Sequence, residues 1–89
     1  MMELQLLQQK IIELLESGIF KTTGQVIEEF RMENPALWRE LELEGEMLYG
    51  NSCSSLQQPA TRISQVLQDL PPDQIKCQLK NDEYRWSRA

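Results

Sequence analysis

Apolar residues near the start of the chain, Leu4, Leu7, Ile11, Leu14 and Leu15, recur at three- and four-residue intervals, the spacing of one face of an α-helix. This stripe predicts a helix from about residue 2 to Ser17. Gly18 supplies the left-handed position after its last turn, and Ile19 and Phe20 fold back on it. The stretch Gly-Ile-Phe-Lys-Thr then reads as a stub of β-strand. Thr22 with Gln25 three residues on is a capping box that opens a second helix, buried through Val26, Ile27 and Phe30. A third helix starts at Asn34-Pro35, a cap residue followed by a proline in the first helical position. Leu37, Trp38, Leu41 and Leu48 form its stripe, and Gly45 is a candidate early end.

A cluster of turn formers, Tyr-Gly-Asn-Ser-Cys-Ser-Ser at residues 49–55, predicts a loop. The fourth helix carries Ala60, Ile63, Leu67 and Leu70 on its buried side. It starts near residues 56–59, either with Ser55 and Gln58 as a capping box or with Pro59 in the first position, and Pro71-Pro72 stops it at Leu70. Opposite Ile63, at about 100° per residue, stand Thr61, Gln65 and Gln68, with Arg62 and Ser64 on the flanks. Beyond the prolines the period falls to two. Ile75, Cys77 and Leu79 alternate with Lys76, Gln78 and Lys80, and Tyr84 and Trp86 alternate with Glu83, Arg85 and Ser87. Asn81-Asp82 as a two-residue hairpin loop sets Lys80 against Glu83, Leu79 against Tyr84, Gln78 against Arg85 and Cys77 against Trp86. Apolar residues then face apolar ones, a match that a one-residue slip destroys. Tyr84, Trp86 and Trp38 are expected in the core, with Cys77 a small core residue and Cys53 a loop thiol.

Length and charge narrow the picture. Residues 1–89 suffice for one domain with one modest core. No run is long and apolar enough to cross a bilayer, and no export signal opens the chain, so a cytoplasmic protein with two reduced thiols, Cys53 and Cys77, is expected. Two cysteines and no histidine cannot close a structural zinc site. The absence of histidine, and of any nucleophile motif, sets the expectation that the protein is not an enzyme and needs no cofactor or metal. A net charge of −5 opposes contact with phosphate, but the acid is concentrated: residues 1–58 hold four basic and ten acidic side chains, residues 59–89 five and four.

The order helix, strand stub, helix, helix, hairpin resembles the winged-helix branch of the helix-turn-helix proteins. The likeness is carried by Gly18–Phe30, by the Thr61–Leu70 helix and by the Ile75–Ser87 hairpin as the wing. The fold expected is mainly α with a small β-hairpin, a helical bundle with an extra helix between the second helix and the recognition helix. That extra segment, residues 34–54, departs from the family's short turn. The resemblance implies a small DNA-binding protein, such as a transcriptional regulator, with the 59–70 helix in the major groove of double-stranded DNA. The reading residues it implies are Thr61, Arg62, Gln65 and Gln68, and the wing contacts are Lys76, Lys80 and Arg85. A monomer would bind weakly, and the Leu and Ile stripe of the first helix is a candidate homodimer seam. The alternative is a winged-helix module for protein–protein interaction that uses the acidic first half or the 34–54 insertion. A continuous positive face across the fourth helix and the hairpin would favour DNA; acidic residues interrupting it would favour a protein partner.

Overall fold

The structure, a computed structural model, describes residues 3–50 and 53–89. The elements are α1 (Leu4–Leu14), β1 (Lys21–Thr22), α2 (Thr23–Glu33), α3 (Pro35–Tyr49), α4 (Cys53–Asp69), β2 (Ile75–Lys80) and β3 (Glu83–Arg88). The protein is thus a helical bundle with a hairpin wing, and β1 joins the wing in an antiparallel sheet of order β1-β3-β2.

The capping box forms as the residue types dictate. Thr22 Oγ1 accepts the Gln25 N–H at 3.1 Å while Gln25 Oε1 accepts the Thr22 N–H at 2.8 Å. The hairpin register is also the expected one, from Cys77 opposite Trp86 to Lys80 opposite Glu83. Asn81 and Asp82 both take positive φ, 53° and 61°, as a tight two-residue turn requires, and both belong to the few residue types that accept it.

Other boundaries move for identifiable reasons. The first helix stops at Leu14, short of Ser17, because Leu15 turns extended (φ −80°, ψ 146°) and sinks its side chain fully into the core. Gly18, at φ 79°, therefore serves the turn that pairs Glu16 with Ile19, and Ile19 lies half exposed at 52%. Asn34 makes no side-chain cap for α3; its N–H bonds to the Phe30 carbonyl and closes α2 instead. Gly45 does not end α3 but is buried within it, and Leu48, expected on the inner stripe, is half exposed. The fourth helix begins at Cys53, so Pro59 sits inside it, fully buried, and is not the start signal it resembled. Asn51 and Ser52 of the expected loop, and the cap assigned to the Ser55 side chain, lie outside the described residues.

The core draws Leu7, Ile11 and Leu15 from the first segment, Val26 and Phe30 from α2, and Leu41 from α3. Ile63, Val66, Leu67 and Leu70 come from α4, and Ile75 and Trp86 from the sheet. Leu7 and Ile11, central to the candidate dimer seam, are thus buried in the chain's own core. Three side chains help fasten the sheet to the bundle. Trp86 Nε1 donates to Thr23 Oγ1 at 2.9 Å, Lys21 Nζ donates to the Leu14 carbonyl at 2.6 Å and to Glu29 at 2.8 Å, and Arg88 donates to the carbonyls of Ile12 and Glu13. The last two put cations at the end of α1, where carbonyls lack helical partners.

The two glycines nearest these joints are expected to respond with opposite sign. Gly18→Ala forces a side chain into the positive-φ region and should lower stability by about 1 kcal/mol. Gly24→Ala, in the first turn of α2 with only Thr22 Oγ1 near the added methyl at 3.9 Å, should raise it by about 0.5–1 kcal/mol. Paired thermal melts of the two variants check both signs.

Candidate interaction surface

Thr61, Gln65 and Gln68 are exposed on α4, as the spacing implied, and Gln57 extends the row. All four are neutral hydrogen-bonding residues. Asp69 follows them at the end of the helix, also exposed.

Arg62, the one cation of α4, does not belong to that face. Its Nη1 lies 3.3 Å from Glu44 Oε1, and Gln58 Nε2 donates to the same oxygen at 3.3 Å. Gln58 and Arg62 are four residues apart and so meet on one flank of α4, where the packed α3 presents Glu44. The Glu44 side chain is 1% exposed and that of Arg62 21%. Glu44 Oε2 is buried with no hydrogen-bond partner, so the carboxylate leans on these two donors for compensation. Arg62 thus joins α3 to α4 while part of its side chain stays exposed, and Thr61, Gln65 and Gln68 are the fully exposed members of the expected set. Glu44 was hidden from sequence reasoning inside a Glu-rich run that looks like ordinary solvated surface. The available signal was the pairing of an inner-face glutamate with a Gln and an Arg at helical spacing.

The other cations divide sharply. Lys10 pairs with Glu13, Lys21 with Glu29, Arg31 with Glu28, and Arg39 with Glu42 and Glu46, while Arg88 donates to helix-end carbonyls. Among the described residues Lys76, Lys80 and Arg85 have no acidic group within 4.0 Å. Strand alternation and the hairpin register put all three on one face of the wing, the outer face, with Gln78 and Glu83.

The inner face carries Ile75, Cys77, Leu79, Tyr84 and Trp86. Ile75 and Trp86 are buried at its base, but Cys77 is exposed, and Leu79 and Tyr84 are 62% and 47% exposed towards the tip. Tyr84 and Cys77 were expected in the core; the strands outrun the bundle, so their outer halves have nothing to pack against. Between this face and the end of α4 lies a groove of about 410 Å³, lined by Gln68, Leu70, Pro72, Ile75, Cys77, Tyr84 and Trp86. The Tyr84 and Trp86 rings sit 6.0 Å apart along it. Partial burial pushes the free Cys77 thiol above its usual range. Trp38 is half-buried and packs on the core as expected. Helix α3 leaves Leu43 and Met47 exposed beside Glu40 and Glu46.

Charge thus falls in patches: the helix row is neutral, the face of the wing towards the groove is apolar, and the unpaired cations lie behind it. No helix among the described residues is long and apolar enough to cross a membrane. No protein-family model, curated protein or solved structure matches the chain.

Removing Arg62 should reveal what its contact with Glu44 contributes to stability. Arg62→Ala leaves a buried carboxylate short of its charged partner and should lower unfolding free energy by about 2–3 kcal/mol, below the range for a fully buried pair because Arg62 keeps some contact with water. Exchanging both partners for apolar residues, Glu44→Leu with Arg62→Met, should recover most of the loss. Urea titration of the three proteins distinguishes this from a surface arginine, whose removal would move the midpoint little.

Proposed function

We propose that this protein is a winged-helix module that binds another protein through the inner face of its wing, acting in the cytoplasm without catalysis or cofactor. The observation that carries the reading is the exposure of Leu79 and Tyr84 over an apolar groove that ends on the neutral row of α4. Aromatic and aliphatic groups depleted of charge and rimmed by Gln are the composition of the centre of a protein interface. A continuous positive face across helix and hairpin would have favoured DNA. Instead Arg62 is engaged by Glu44, Asp69 closes the helix row, and Lys76, Lys80 and Arg85 of the wing point away from it.

Double-stranded DNA is the second reading, and one observation favours it: Lys76, Lys80 and Arg85 share a face, and among the described residues none has an acidic group within 4.0 Å. Three phosphate contacts imply a salt slope of about −2.7 in log K against log salt, reduced by about 0.9 for each cation replaced. On that reading Thr61, Gln65 and Gln68 would meet base edges.

The two readings separate on two variants. Titration of mixed duplex fragments at low and moderate salt should show no binding steeper than non-specific association, and Lys76→Gln with Lys80→Gln should weaken partner capture without abolishing it. Leu79→Glu, at an exposed position that leaves the core unchanged, should abolish capture by a photo-crosslinker attached at Cys77. Salt-sensitive duplex binding that is lost with the lysines and indifferent to Leu79 would instead establish the DNA reading.

A further inference from the structure

The sheet ends on an open edge. In the order β1-β3-β2, strand β2 has β3 on one side and, among the described residues, no strand on the other. The two-residue loop Asn81-Asp82 makes Lys80 and Glu83 a hydrogen-bonded pair, from which the pattern alternates along the hairpin. At the far end the Ala89 N–H donates to the Gln74 carbonyl at 3.0 Å and keeps the same parity. Even-numbered residues of β2 therefore direct their backbone groups to β3, and Ile75, Cys77 and Leu79 direct theirs outward.

These three also carry the inner-face side chains, whereas Lys76 and Lys80 stand on the outer face without acidic partners among the described residues. Any strand laid along this edge meets both conditions at once. Its residues opposite Cys77 and Leu79 put side chains beside the groove, and those opposite Lys76 and Lys80 put side chains beside two ammonium groups that make no ion pair within 4.0 Å among the described residues.

We propose that β2 accepts an extended segment of another protein as an added antiparallel strand, and that the segment it selects reads acidic, apolar, any residue, apolar, acidic. The inference rests on the protein-binding reading above and names the chemistry of the partner. Main-chain hydrogen bonds to Cys77 and Leu79 hold the segment, the apolar pair extends the row of Leu79 and Tyr84, and the acidic pair supplies the missing countercharge. A second copy of β2 is disfavoured as the occupant, because it would gather Lys76 and Lys80 of both chains on one face of the joined sheet.

The test uses isotope-labelled protein and a blocked peptide, Ser-Glu-Val-Thr-Val-Glu-Ser, with two relatives: one with both Glu replaced by Lys, one with both Val N-methylated. The parent peptide should shift the backbone amides of Ile75, Cys77 and Leu79, and each relative should bind at least about tenfold more weakly. Leu79→Glu should remove binding, and added salt should weaken the parent peptide. Equal binding of the N-methylated peptide would overturn strand addition while leaving the groove, and the protein-binding reading, in place. Equal binding of the Lys peptide would overturn the acidic pattern. Absence of any shift up to about 1 mM peptide would overturn the proposal as a whole. If duplex DNA then moved Lys76, Lys80 and the exposed row of α4, the protein-binding reading would fall with it.

Discussion

Trp86 holds the wing to the bundle, and the surface beyond it follows from how little of the wing that anchor covers. It stands on the central strand between Lys21 of β1 and Cys77 of β2, is 4% exposed, and ties its indole N–H to Thr23. Burying so large a ring fixes the base of the hairpin strongly. Six-residue strands, however, reach about 20 Å, and the bundle meets only their lower half. Past Trp86 the inner face keeps its apolar alternation and loses its packing partners. Leu79 and Tyr84 are exposed because the strands outrun the core, not because their residue types changed.

A second constraint governs the helices. The chain carries 14 acidic against nine basic side chains, and nearly every cation of the bundle is engaged by an acid or by a helix end. Glu44 is the extreme case, a carboxylate inside the α3–α4 contact with one oxygen held by Arg62 and Gln58 and the other unpartnered. Such a group is costly to bury and specifies register more than it adds stability. Here it ties α3 to Gln58 and Arg62 of α4 at one point along both helices. Its side effect is electrostatic, since it removes from α4 the only cation that could have faced a ligand.

Elements governed by local chemistry were legible in the sequence. The capping box needed only Thr22 and Gln25, and the hairpin register needed only a two-residue turn and the alternation on either side of it. What could not be read depended on tertiary geometry. Pro59 has the signature of a first helical residue, yet the buried environment of α4 carries it inside a longer helix, because packing outweighs one lost backbone hydrogen bond. Gly45 looks like a breaker for the same reason that Glu44 looks like surface: neither residue announces that a neighbouring helix will lie against it. Of the candidate site, Thr61, Gln65, Gln68, Lys76 and Lys80 were placed at the surface correctly, and Arg85 reached the outer face half-buried, its Nε without a partner. Arg62 lies on the flank as expected, but its contact with Glu44 of α3 depends on a distant partner that periodicity does not show. Period alone shows which face of a hairpin is apolar, not how far the bundle extends beneath it, so the exposure of Cys77 and Tyr84 was invisible.

The wing's two faces then bear on function through direction. Alternation sets Lys76, Lys80 and Arg85 opposite the side chains that overlook the groove, and Gln68 of α4 lines the groove side. A duplex seated on the neutral row of α4 would meet the apolar face of the wing first and find the cations behind it. Phosphate contact through the lysines would instead turn the helix row away. Helix and wing converge on one ligand only across the inner face, where the surface is apolar and uncharged. That convergence favours a partner with side chains to bury over one with phosphates to neutralise, and on the proposed strand addition the lysines beside the open edge would select among such partners by charge.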